Sequence, residues 1–316
     1  MRRLKIVPDN TKIPFVKYRH IAVGISVVIV IAAIVAMFVK GFNFGIDFEG
    51  GTVIEIATEG EADIADLRKR LSGLDIGEVQ LQRFGDDSHV LIRIGAAKSQ
   101  DEGSGSEAIV QKVKAELGSS VEYRRVESVG PQVSGELIHS ATLAVLIAVA
   151  AMFAYIWFRF EWQFGLGAVL SIVHDVMATI LVFSVFQLEF DLTTIAALLT
   201  IVGYSMNDTV VVFDRMRENL RKYKKMDLGE LIDLSINETL SRTIMTSVTT
   251  LLALIALFVF GGEVIRSFTF AMIFGIIVGT YSSIYVAAPV LMAIGITREW
   301  GSNALGRDKA GADKKA

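Results

Sequence analysis

The sequence predicts a helical membrane protein: six membrane-spanning helices with one α+β domain inserted between the first and the second. Three observations carry this. Apolar residues make up 52% of the 316 positions and gather in long runs almost free of charge, and runs of about 18 or more apolar residues read as transmembrane helices. The charged residues sit in blocks between those runs. The segment between the first two runs has ordinary polar composition and alternates strand-like and helix-like patterns. A soluble enzyme of this length would spread its apolar residues through one or two cores instead.

Residues 1–20 form a basic arm with Arg2, Arg3, Lys5, Lys12, Lys17 and Arg19. The first span, 21–39, carries no charge. It is longer than a signal-peptide core and no small-residue cleavage site follows it, so a retained anchor is expected. The segment 40–137 is expected to fold outside the lipid. Residues 51–57 alternate as a strand, and 62–74 show helical spacing through Ile64, Leu67 and Leu71. Residues 78–84 and 89–94 alternate again around a turn at Gly85-Asp86-Asp87. A second helix, 108–117, puts Ile109, Val113 and Leu117 on one face, and 120–129 is a last strand. The order β-α-β-β-α-β is the ferredoxin-like split βαβ motif. Gln100 to Ser106 reads as a flexible loop within it. That fold hosts many functions, and the domain shows no nucleophile–base pair and no metal-ligand cluster.

The remaining spans are expected at 138–158, 164–186, 192–213, 243–262 and 267–293. A polar inner loop is expected at 214–242, with 214–225 read as a solvated inner helix, and a tail at 296–316. The last span is longer than one crossing needs, and Gly275, Gly279 and Pro289 are expected to let it kink or tilt. Orientation follows the bias of Lys and Arg. With the N-terminus inside, the inner segments hold nineteen such residues, seven of them in the loop 214–242, whereas the two short outer loops hold only Arg266. Both ends then lie inside. The net charge of −3 says little about partners, and without a basic stripe interleaved with aromatics there is no case for nucleic acid. The absence of cysteine excludes disulfides, thiolate metal sites and cysteine nucleophiles. No cofactor is expected; membrane lipids surround the spans.

Charge within a span marks function or a partner. Asp208 stands about six residues, or roughly 9 Å, from the inner end of span four. Asp175 lies near the middle of span three beside His174, and Arg242 opens span five, followed by Thr243, Thr246, Ser247, Thr249 and Thr250. One reading is a proton relay. A carboxylate in a dry bundle can take up and release a proton, and a nearby arginine changes its proton affinity as it approaches or withdraws. The alternatives are plainer: a static carboxylate at Asp208, a helix clasp at Asp175, an interface anchor at Arg242, and a hydroxyl run that only packs helices. Gly275-x-x-x-Gly279 is a close-packing pattern.

Four strings go further. Phe44-Gly45-Ile46-Asp47-Phe48-Glu49-Gly50-Gly51 follows span one, and Val129-Gly130-Pro131-Gln132-Val133 closes the domain. Val202-Gly203-Tyr204-Ser205-Met206-Asn207-Asp208-Thr209 runs on into Phe213-Asp214-Arg215-Met216-Arg217-Glu218-Asn219. Ser241-Arg242-Thr243-Ile244-Met245-Thr246-Ser247 opens span five. Together they resemble the SecF family of bacterial protein-export subunits, within the RND superfamily, over roughly residues 18 to 295. Met206 stands where the family commonly has a branched aliphatic.

The resemblance implies a separate six-span subunit of the cell inner membrane rather than the fused SecDF form. It implies pairing with SecD and association with SecYEG and YajC, so that proton motive force completes the export of preproteins delivered by SecA. It also puts the family's functional aspartate on Asp208, its arginine on Arg242 and its threonine on Thr246, with the partner carboxylate in SecD. Asp175, His174 and Asn207 complete the candidate relay residues. Two rival functions are a proton-independent scaffold or chaperone of the translocon, and an RND-type exporter of lipid or small molecules.

Overall fold

The computed structural model describes residues 8, 11–84, 86–95, 104–262 and 265–296. Most of the basic arm up to residue 10, Gly85 of the expected turn, residues 100–103 of the expected loop and the tail from 297 lie outside the described residues. The chain runs through α1 (Arg19–Val39), β1 (Asn43–Phe44), α2 (Ile46–Glu49), β2 (Gly51–Thr58), α3 (Ile64–Ser72), β3 (Val79–Phe84), β4 (Asp86–Ile94), α4 (Ser104–Leu117) and β5 (Val121–Val129). It continues through α5 (Pro131–Arg159), α6 (Trp162–Phe186), β6 (Glu189–Phe190), α7 (Leu192–Lys222), α8 (Leu228–Phe260), α9 (Arg266–Ser282), a π-turn (Ser283–Ala287) and α10 (Ala288–Ile294). Among the described residues six helical stretches are long and apolar enough to cross a membrane, the sixth being α9 through α10. The chain is an integral membrane protein with two compact units, one α+β and one helical.

The α+β unit holds residues 43–146 and 189–195. Its four-stranded antiparallel sheet has the order β3-β4-β2-β5, the ferredoxin-like arrangement. Period-2 alternation puts Ile54, Ile56, Val90, Ile92 and Ile94 on one face, where Leu67 and Leu71 of α3 and Val113 and Leu117 of α4 cover them. Asp63 caps α3, its Oδ1 accepting from the amides of Ala65 and Asp66 at 2.9 and 3.1 Å. Two expectations need correction. Asp86 and Asp87 belong to β4 rather than to the turn, because Arg83 across the hairpin ion-pairs with Asp87 at 2.9 Å. Helix α4 begins at Ser104, inside the expected loop. On the opposite sheet face Ile46 of α2 joins Val53 and Leu91. The chain leaves α2 through Gly50 at φ 70°, ψ 173° and Gly51 at φ 119°. Only glycine adopts the first of these conformations without strain, which accounts for the double glycine.

A second, two-stranded sheet pairs β1 with β6 in parallel, Asn43 opposite Glu189 and Phe44 opposite Phe190. Arg93 fastens it, donating to Asn43 Oδ1 at 3.0 Å, the Phe44 carbonyl at 2.8 Å and Glu189 Oε1 at 2.9 Å. Asp47 Oδ2 accepts from the Leu192 amide at 3.0 Å, and Asp191 Oδ1 from the Thr194 amide at 2.7 Å. Burial pushes the Glu189 carboxyl above the usual carboxylate range, and Arg93 opposes that rise. A folded value above the unfolded one means that the folded state binds the extra proton. The contribution of this group is therefore greatest at acid pH and declines as pH rises through the raised value. Arg93→Ala removes the opposing charge, so the full-length variant in detergent should lose about 2 kcal/mol at neutral pH, less than the ~3–5 of a fully buried pair. The loss should shrink toward acid pH. Equal losses of thermal midpoint at both pH values would show that Glu189 stays uncharged throughout.

The helical unit buries α6, α7 and the sixth span most, while α5 and the second half of α8 keep broad apolar faces exposed. Its core includes Phe164, Ile172, Met206, Phe213, Ile236 and Leu291. The segment 214–242 is helix apart from 223–227, continuing α7 and beginning α8. The two ends form a hairpin because their charges pair with each other. Arg215 bonds Glu238 at 2.7 Å, and Asn219 Nδ2 donates to Glu238 at 2.7 Å and to Ser235 Oγ at 3.0 Å. Phe213, Met216 and Asn219 are buried, so this stretch is packed rather than solvated. In the sixth span the break falls at the π-turn before Pro289, whose ring lacks an N–H and crowds the carbonyl one turn back. Gly275 and Gly279 make no kink there. They bring α9 against Ile201 and Ser205 of α7.

Candidate functional site

Asp208 projects from α7 into the helical unit and is 7% exposed. A carboxylate in such a place must have its lone pairs filled. Thr243 Oγ1 of α8 donates to Oδ1 at 2.6 Å, and Ser283 Oγ of the π-turn donates to Oδ2 at 2.7 Å. The acid is thus held between three helical stretches by neutral hydroxyls. Among the described ion pairs none joins it to Arg242; its direct partners are Thr243 and Ser283.

Asp175 of α6 is fully buried. Ser205 Oγ of α7 donates to its Oδ2 at 2.5 Å, Ser282 Oγ of α9 to the same oxygen at 2.7 Å, and His174 Nδ1 lies 3.1 Å from Oδ1. Ser171 Oγ donates in turn to Ser282 Oγ at 2.9 Å. Asp175 and His174 are therefore in contact, and the clasp extends to two further helices. Packing accounts for both sites, because Gly279 lets α9 approach Ser205 so closely that a methyl group there would stand 3.1 Å from its Cβ.

None of the other candidates makes a described hydrogen bond or ion pair with these carboxylates, although the charge of Arg242 reaches Asp208. Arg242 is exposed on α8. Thr246 is also exposed, and its hydroxyl donates back to the carbonyls of Arg242 and Thr243 at 3.1 and 2.9 Å. Asn207 is exposed on α7. An exposed guanidinium at a membrane helix calls for water, headgroups or an acid from another chain. The threonines beside it do not, since their hydroxyls are already satisfied by their own helix. Sequence reasoning missed Ser171, Ser205, Ser282 and Ser283. Ser205 lay within a quoted string, and two adjacent serines in a charge-free span were the only other signal. No group of three or more His, Cys, Asp or Glu able to hold a metal occurs among the described residues.

The chain matches the family model for the protein export membrane protein SecD/SecF, C-terminal, over residues 109–297, and that for the SecD/SecF GG motif over residues 35–62. It is 50% identical over 303 residues to the protein translocase subunit SecF of Cereibacter sphaeroides, covering 94% of each chain. It is 47% identical over 288 residues to the protein of the same name from Rickettsia bellii, covering 91% of this chain and 95% of that one. Among solved structures it is similar to the crystal structure of SecDF, a translocon-associated membrane protein, from Thermus thermophilus, with a TM-score of 0.81 and 36% identity over 90% of this chain. It spans 39% of the length of that SecDF chain.

Proposed function

The chain belongs to the SecD/SecF family of protein export membrane proteins, among its SecF members, and from this we propose that it is an accessory subunit of Sec protein translocation that uses the proton motive force. It works with SecD in the inner membrane, its ends cytoplasmic and its α+β unit on the outer side, beside SecYEG and YajC, on preproteins delivered by SecA. The observation that carries this is the buried Asp208, held by two reversible hydroxyl donors and without a salt bridge among the described residues.

The chemistry is proton binding. A proton reaching Asp208 cancels its negative charge, and the field that holds Arg242 toward it is lost. Arg242 is then free to turn to a carboxylate supplied by SecD, which the exposure of Arg242 supports. Loss of the proton to the other side restores the charge. Each proton crossing 100 mV supplies about 2.3 kcal/mol, which biases a two-state element but moves a long polypeptide only over many cycles.

The test is preprotein export into membrane vesicles containing or lacking this chain, with the proton gradient intact or collapsed by an uncoupler and ATP held constant. Stimulation by the chain should vanish with the gradient. Stimulation of the same size in both conditions would favour the proton-independent scaffold.

A further inference from the structure

Building on the proton-carrying role of Asp208, we propose that Asp175, with His174, is a second protonation site, and that the Ser282–Ser283 dipeptide ties its state to that of Asp208. Asp175 is fully buried, yet it faces hydroxyls rather than a fixed cation. His174 is 3% exposed, and with Nδ1 toward Asp175 its Nε2 has no hydrogen-bond partner. A neutral imidazole whose Nδ1–H donates to the carboxylate keeps a free lone pair on Nε2. In a closed core that lone pair is a vacant position for a proton.

The two carboxylates share one device. Each serine hydroxyl has a single hydrogen and two acceptors within reach. Ser282 Oγ stands 2.7 Å from Asp175 Oδ2 and 3.1 Å from the Gly279 carbonyl. Ser283 Oγ stands 2.7 Å from Asp208 Oδ2 and 3.1 Å from the Thr280 carbonyl. When Asp208 Oδ2 gains a proton it changes from acceptor to donor. Ser283 must then accept, and its own hydrogen turns to the Thr280 carbonyl. No bond other than O–H forms or breaks, and the proton departs by the path that Asp208 serves.

Ser283 opens the π-turn, where the hydrogen-bond ladder changes register and the backbone has room to move. Its neighbour Ser282 is joined to it by one planar peptide, so the rearrangement reaches Asp175. A second link runs through α7, where Ser205 donates to Asp175 and stands three residues from Asp208 on the same face. The charged or titratable groups around the pair are few. Tyr281 of α9 has its ring 5.9 Å from that of His174 and donates to the Ala22 carbonyl. Tyr285 of the π-turn stacks on Tyr281 at 5.2 Å. Helix α8 brings Arg242, whose charge reaches Asp208, and α7 carries Tyr204 four residues before Asp208. Helix α10 brings none.

Infrared difference spectroscopy on the full chain, co-reconstituted with SecD in lipid vesicles and titrated with acid, reads both carboxyl groups. Asp175→Asn should remove one protonated-carboxyl band and Asp208→Asn another. In the unaltered chain the Asp175 band should shift in frequency at the pH where the Asp208 band disappears. Ser283→Ala should reduce that shift while keeping both bands, the link through Ser205 remaining. Because Asp175→Asn removes a helix clasp and risks misfolding, Ser282→Ala, which deletes a single hydroxyl and keeps the Asp175 band, provides a second test: it too should reduce the shift. An Asp175 band absent at every pH, or one unchanged through the Asp208 transition, would overturn the second site. If Asp208 itself shows no titrating band, it is the proton-carrying reading that fails.

Discussion

Replacing Asp208 by asparagine should reduce gradient-dependent export to the level of cells lacking the chain, with the helix bundle still assembled. The side chains have the same shape. The asparagine oxygen can go on accepting from Thr243 Oγ1, which stands 2.6 Å from Oδ1. The new amide faces Ser283 Oγ, which can accept from it and turn its own hydrogen to the Thr280 carbonyl 3.1 Å away. Every buried polar group keeps a partner, so the change in stability should stay within about 1 kcal/mol. What disappears is a group able to alternate between charged and neutral. Asp208→Glu keeps the proton but adds a methylene to a site enclosed by Thr243 and Ser283, and overpacking of this kind destabilises by about 1–3 kcal/mol; partial activity is expected. The measurements are complementation of a strain without the native copy and proton flux in vesicles that also contain SecD. Normal flux and normal secretion in the asparagine variant would remove Asp208 from the mechanism.

Much of this architecture was legible because it is written locally. A charge-free run such as 21–39 needs only its own composition to be read as a span, and Ile54 and Ile56 alternate whatever surrounds them. Asp208 and Asp175 were visible for the converse reason, as ionisable groups among apolar neighbours. Their partners were not. Serine and threonine have little effect on hydropathy, and whether Ser283 reaches Asp208 depends on how closely α9 and α7 approach and on a π-turn that rotates the residues after Ser282. The charges of 214–225 suggested a solvated helix, since periodicity cannot reveal that Arg215 will meet Glu238 across a helical hairpin. The pairing of β1 with β6 joins two-residue segments almost 150 positions apart, too short for any pattern to announce. Arg242 shows the limit most sharply. Its charge suggested a group that approaches and leaves Asp208, and here it is exposed and makes no described salt bridge with that acid, a relation that the sequence alone does not reveal.

Gly275→Val should disrupt the bundle more than any substitution of comparable size on its lipid-facing helices. A methyl group at Gly275 would lie 2.4 Å from both Cγ1 and Cδ1 of Ile201 and 2.8 Å from Cγ2. These contacts involve both branches of the side chain as well as its tip, and Ile201 is fully buried, so the side chain has nowhere to turn. The helices must separate instead. Small residues at such crossings are what permit close packing where lipid supplies no hydrophobic drive between helices. Separation would also reach the carboxylates, because the same pair of helices brings Gly279 against Ser205 and then Ser283 onto Asp208. The expected loss is about 3 kcal/mol, the upper end for overpacking, read as a lower thermal midpoint of the detergent-solubilised chain together with lost complementation. Ile201→Ala alone should destabilise by about 2–5 kcal/mol through the cavity it leaves. Combined with Gly275→Val it removes the overlapping atoms and lets valine fill that space, so the double variant should be about 1–3 kcal/mol more stable than the sum of the single losses. Strict additivity would mean that α7 and α9 are not in contact at this crossing in the membrane, and the hydroxyl bridge from Ser283 to Asp208 would lose its support.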